Sequence, residues 1–176
     1  MKFIFISIKI IFLYFISFSS SYSIEAPNIK NLIIYEEKQK IKFFDFLNEA
    51  GNKVNLKDFK SELIILNFWA TWCAPCREEM PSLNNLQKLK GEKKIMIIPI
   101  NIGGENISTS KRFFDDLLIE ELQVFVGDGA GLAKNLKLRG LPTTLFIDKD
   151  GYEFARIVGS IDFNSDEFLN WLNELN

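Results

Sequence analysis

Cys73 and Cys76 are the only cysteines in the chain, separated by Ala74 and Pro75. A thiolate attacks disulfides and binds soft metals. Two thiols at this spacing on a helix lie about one turn apart, so a disulfide between them can close and reopen. The chain contains no histidine, which removes imidazole shuttles, His-based triads and His metal sites. Two other uses of the pair stand beside redox exchange. A permanent staple is a weak device here, because so small a loop restrains little of the unfolded chain. A metal site would have two thiolates with only Met80 and Met96 as further soft donors in the mature chain. That falls short of a four-ligand zinc site, although two thiolates alone suit copper(I). Reversible thiol-disulfide exchange fits the residues best.

The elements around the pair must place it at a strand-to-helix junction. Leu63 to Phe68 is a near-continuous apolar run of strand length, the signature of a strand covered on both faces. Cys76 to Leu89 follows with Leu83, Leu86 and Leu89 at helical spacing. Pro75 fits the first helical turn, where a missing amide costs nothing, and Pro81 is expected to kink the helix. Glu78 and Glu79 suit the positive helix end. Cys73 then sits where free amides and the helix dipole favour a thiolate. Cys73 is expected to be the exposed nucleophile and Cys76, one turn deeper, the resolving thiol. Trp69 reads as core. Trp72 either covers the helix end or faces a partner.

The remaining pattern gives the frame. Phe43 to Phe46 and Val54 to Leu56 around Gly51-Asn52 read as a β-hairpin. Ile95 to Ile100 is a second buried strand. Ser110 to Leu118 reads as a helix with Phe113, Phe114, Leu117 and Leu118 inward, and Lys111, Arg112, Asp115 and Asp116 on its wet face. Gln123 to Val126 is a short strand, Leu132 to Leu136 a short helix. Thr144 to Ile147 and Phe154 to Val158 flank the turn Asp148-Lys149-Asp150-Gly151, and Phe168, Leu169 and Leu172 mark a last amphipathic helix. Parallel βαβ units followed by an antiparallel hairpin predict an α/β fold, a mixed central sheet flanked by helices.

The 176 residues suit one such domain, here assigned to 41–176, with 24–40 as a charged tether or a loosely held first element. The first 23 residues differ. Lys2 and Lys9 flank a short apolar patch, Ile10 to Phe18 is apolar except for Ser17 and the Tyr14 hydroxyl, and Ser19-Ser20-Ser21-Tyr22-Ser23 follows. That is the plan of a secretory signal peptide, with a retained N-terminal membrane anchor as the rival. Either delivers the domain across a membrane, which in a bacterial cell means the periplasm. A net charge of about -2 with no basic stripe argues against nucleic acid as a partner. No residue pattern calls for a cofactor or a resident metal.

Residues Asn67 to Pro81, NFWATWCAPCREEMP, resemble the thioredoxin superfamily and within it the exported TlpA/ResA-like thiol-disulfide oxidoreductases. A second match, RGLPTTLFIDKDG from Arg139 to Gly151, lies at the distance the family shows. The likeness runs from about residue 41 to the C-terminus. It implies a thioredoxin fold with an N-terminal β-hairpin and an inserted helix between the second and third core strands. It also implies that Pro142 is a cis-proline opposite the cysteines. Leu141 would offer its backbone to a partner strand, in a loop shaped by Arg139, Gly140 and Thr143. Asn67 stands where thioredoxins proper carry a buried aspartate. Glu79, three positions after Cys76, matches an acid that lies near the pair in membrane-side relatives, and is expected to be partly buried with a raised pKa. The resemblance implies a reductant of disulfides in exported proteins, such as apocytochrome c or copper-site proteins, fed by a membrane-bound thiol donor. Ala74 and Pro75 put no imidazole beside Cys73, which leans away from a strong oxidant. A disulfide oxidase or isomerase of the same fold, and a copper(I)-delivery module, remain the alternatives. Asn101, Gly103, Gly104 and Glu105 either edge the substrate groove or form a plain loop.

Overall fold

The computed structural model describes residues 27–92 and 94–175. The expected signal peptide or anchor, 1–23, lies outside them. Among the described residues no helix is long and apolar enough to cross a membrane.

Eight strands form one mixed sheet in the order β1-β8-β7-β4-β5-β6-β2-β3. Its centre is β4 (Leu63–Trp69), parallel to β5 (Ile95–Asn101) and antiparallel to β7 (Thr143–Asp148). Every residue of β4 is buried, as its unbroken apolar run requires. Alternation divides that strand between two cores. Leu63, Ile65 and Trp69 face the layer built by α1 (Ala74–Lys90), α2 (Ile107–Asp116) and α4 (Asp166–Glu174). Ile64, Leu66 and Phe68 face the opposite layer, with α3 (Gly129–Asn135) and Phe46 of the hairpin β2 (Asp45–Asn48) and β3 (Lys53–Asn55). Asn67 falls on the α1 side by the same alternation. The central helix α2 lies between β5 and β6 (Phe125–Val126), and β8 (Tyr152–Val158) returns antiparallel along β7.

Two expectations are corrected. Residues 24–40 are not all tether, because Leu32–Lys40 is β1, an edge strand antiparallel to β8. The hairpin therefore follows β1 in the chain, and it closes the opposite edge of the sheet. Leu118 does not point inward: it is 78% exposed, and Leu89 at the far end of α1 is 68% exposed. Leu118 lies past the end of α2 with a left-handed φ of 54°, so helical spacing no longer governs its direction. Helix α1 runs as one element through Pro81.

Candidate active site

Strand register brings three loops to one end of the sheet. Phe68, near the end of β4, pairs with Thr143 at the start of β7, and Trp69 pairs with Asn101 at the end of β5. The segments 70–73, 139–142 and 102–105 thus leave neighbouring strands, about 4.8 Å apart, at the same edge.

Cys73 is the N-cap of α1, and Pro75 sits in its first turn. Cys73 and Cys76 form a disulfide with a Cα–Cα distance of 5.3 Å. The Cys76 N–H donates to Cys73 Sγ at 3.3 Å, and the amides of Cys76 and Arg77 also donate to the Cys73 carbonyl. These donors would serve a Cys73 thiolate once the pair is reduced. Cys73 is 5% exposed and Cys76 is fully buried. The outer sulfur is therefore Cys73, but it is reached through a narrow opening rather than presented openly. Beside it Trp72 is 68% exposed, while Trp69 is buried against Phe113 and Phe114.

The peptide Leu141-Pro142 is cis. Pro142 is buried and its carbonyl accepts from Gly159 N–H at 2.9 Å. The Thr143 hydroxyl donates to the Gly140 carbonyl at 2.7 Å, which ties the loop to the head of β7. Arg139 and Gly140 are exposed. Among the described residues the backbone N–H and C=O of Leu141 have no hydrogen-bond partner. A free donor and acceptor beside the disulfide can pair with an extended segment of another chain.

Glu79 lies one turn beyond Cys76 on the same face of α1 and is 2% exposed. Burial pushes its pKa up from 4.5 to about 8, against the opposing pull of the Asn67 amide and the Ile161 backbone N–H. Asn67 Nδ2 donates to Glu79 Oε1 at 2.7 Å and to Thr144 Oγ1 at 3.0 Å. Among the described residues Glu79 Oε2 and Asn67 Oδ1 are buried without a partner at hydrogen-bonding geometry, the Ile161 N–H acting on the carboxylate from outside it. Glu78 is exposed. The chain thus keeps one acid, with a spare oxygen, in the layer that buries Cys76.

The third loop is more than a plain connection. The Glu105 carboxylate accepts from the Thr71 hydroxyl and, at 3.4 Å, from the Thr71 amide. Trp72 Nε1 points at the Gly103 carbonyl at 3.5 Å. A Cβ on Gly103 would lie 2.5 Å from Glu105 Oε2 and 2.6 Å from Ala70 Cβ, so only glycine lets the two loops approach this closely. Buried Asn101 accepts from the Gly103 amide at 2.8 Å. The sequence held the signal for Glu105 and Gly103 but not for Thr71, whose partner is 34 residues away.

Residues 25–167 match the Redoxin family model. The chain belongs to the Redoxin family. It is 38% identical over 109 residues to the thiol-disulfide oxidoreductase ResA of Bacillus thuringiensis subsp. konkukian, a match that spans 62% of each chain. With the thioredoxin-like protein YneN of Bacillus subtilis it shares 32% identity over 117 residues, 66% of this chain and 68% of that one. Among solved structures, a DsbF homologue from Corynebacterium diphtheriae superposes with a TM-score of 0.68 at 22% identity, covering 85% of this chain and 94% of that chain. The exposed lipoprotein thioredoxin Etrx1 of Streptococcus pneumoniae gives 0.63 at 26% identity, covering 76% and 99%. The fold of this Redoxin chain is the thioredoxin-like one that its residues led us to expect.

Proposed function

We propose that this chain is an exported thiol-disulfide oxidoreductase that reduces disulfides in other exported proteins. The observation that carries the reading is the meeting of the Cys73–Cys76 disulfide, at a helix N-terminus, with a cis-proline loop whose Leu141 backbone is unpaired. A relative named thiol-disulfide oxidoreductase supports the same chemistry.

The cycle starts from the reduced pair. The Cys73 thiolate attacks one sulfur of the partner disulfide. A mixed disulfide forms, and the other partner sulfur leaves as a thiolate that takes a proton from water. Cys76 then loses its proton, attacks Cys73 Sγ, and expels the second partner thiolate. Two electrons pass to the partner, and the Cys73–Cys76 disulfide is left. A membrane-bound dithiol donor returns the pair to the reduced state.

Glu79 is the base for the second attack. Burial holds the Glu79 pKa up near about 8, so its carboxyl can gain or lose a proton close to neutral pH, one helical turn from the resolving thiol. Leu141 pairs with the backbone beside the partner's cysteine, and Trp72 offers the apolar surface next to Cys73. The partners fall in the class of apocytochrome c or copper-site proteins, and the N-terminal segment carries the domain to the periplasm, soluble or tethered to the inner membrane.

The test is a trap. Cys76→Ser retains the attacking sulfur and loses the releasing one, so partners accumulate as mixed disulfides that DTT dissolves. Capture of the same partners by a variant with both cysteines changed to serine would overturn the assignment.

A further inference from the structure

On the α3 side of the sheet, the outer strands β8 and β1 leave a groove of about 960 Å³. One wall is the chain leaving α3 toward the cis-proline loop, with Lys137 and Arg139. The other is the end of β1 and the segment after it, with Lys40, Lys42 and Phe43. The groove thus runs away from the loop that holds Leu141 and Pro142.

Its floor is built from charge. A register shift in the β7–β8 pairing sets two residues of β8, between Glu153 and Ala155, against one step of β7, so Phe154 is a bulge. The bulge brings Glu153 onto the face of Arg156, and the two form a double contact: Nε to Oε1 at 2.6 Å and Nη2 to Oε2 at 2.9 Å. The Tyr35 hydroxyl adds a bond to Glu153 Oε1 at 3.1 Å. Glu153 is the only carboxylate lining the groove among the described residues, and Arg156 neutralises it.

The rim is not neutralised. Lys40 donates to the Asp150 backbone carbonyl, not to a carboxylate. Among the described residues Lys40, Lys42, Lys137 and Arg139 form no ion pair. Four cations without a carboxylate partner edge one groove on a chain whose net charge is -2, although the Lys40 ammonium also lies over the Tyr152 ring at 4.2 Å. Lys137 has a left-handed φ of 53°, where glycine is the easy residue. A long cation therefore stands at that rim in a backbone conformation that disfavours any side chain. Ile33 and Phe43, each nearly half exposed, add apolar surface that a small inorganic anion would not use.

We propose that this groove docks an extended acidic segment of the disulfide-bearing protein, one in which Asp or Glu residues alternate with apolar ones. The proposal rests on the redox reading above. The segment pairs with Leu141 at its cysteine end, and its acidic residues lie along Arg139, Lys137, Lys42 and Lys40. Charge complementarity of this kind steers encounter and selects among partners more than it tightens binding.

The experiment uses three peptides with one identical disulfide, flanked by Glu/Leu, Gln/Leu or Lys/Leu. The reduced protein is assayed with each, and with a small neutral disulfide. The Glu peptide is expected to exceed the Gln peptide about tenfold in kcat/KM at low salt. That ratio should shrink as salt rises from ~10 mM to ~1 M, where the Debye length falls from about 30 Å to about 3 Å. In a Lys42→Glu, Lys137→Glu double variant two cations then face two acids at the rim, and the Glu/Gln ratio should fall to about one. A ratio near one in the natural chain, or one unchanged in the variant, overturns the groove. So does charge-dependent binding of anionic lipid vesicles without any peptide preference. No exchange even with the small disulfide overturns the redox reading and the groove with it.

Discussion

Glu79 and Glu153 are buried to almost the same degree, 2% and 3% exposed, yet their surroundings are opposite. Glu153 receives two bonds from Arg156 and one from Tyr35. Glu79 receives one side-chain bond, from a neutral amide, and keeps an oxygen without a partner. A buried acid met by a cation fixes structure. A buried acid left half-satisfied is held near the point of gaining or losing its proton, at about 8 for Glu79. The first ties two outer strands together away from the cysteines. The second lies one turn from Cys76. Burial alone therefore does not identify a working carboxylate. The identity of its partner does.

The largest effect in this comparison comes from breaking the satisfied site. Arg156→Met strands Glu153 in the sheet with only Tyr35, and the unfolding free energy should drop by about 3 kcal/mol. Chemical denaturation measures it. A loss below about 1 kcal/mol would mean that the ion pair is not what settles Glu153 in the interior.

Glu79→Gln should behave in the reverse way. The folded pKa of Glu79 lies above its unfolded value, so its favourable contribution is complete below about pH 4.5 and is lost as pH rises through about 8. The natural chain should lose stability across that window, and the glutamine variant should lose less. The same substitution should remove a titration near 8 from the pH profile of thiol exchange. An unchanged profile would retire Glu79 as the base for Cys76. The smallest effect belongs to Tyr35→Phe, which deletes one of three bonds to Glu153 and should lower stability by about 1 kcal/mol with exchange unaffected.

The two sites also differ in how far they could be read from residues. The Cys73 site was legible because it is local. An apolar strand, a cysteine, a proline and a second cysteine are consecutive, and short-range geometry places them at a helix start. Glu79 was legible only through the family resemblance, since the local pattern alone reads it as an acid suited to a helix start. The Glu153 site was not, since it needs a bulge in β8 and a tyrosine 118 positions away. Strand β1 was hidden too. It is an edge strand with both faces largely wet, and its Glu36-Glu37-Lys38 run reads as a charged connector. Leu89 shows the converse limit, for helical spacing names a face and does not say whether anything covers it, whereas Leu118 was misplaced because α2 ends before it. The Thr71–Glu105 tie lay beyond reach because it joins two loops through the parallel register of β4 and β5.

The account turns on the Cys73–Cys76 bond being a working couple rather than a staple. Equilibrating the purified chain across a glutathione series, then counting free thiols, tests this directly. The account predicts reversible cycling with a reduction potential near or below about -200 mV, the range of reducing proteins. A couple near about -120 mV would make the chain an oxidant, and a bond that never opens across the series would contradict the account outright.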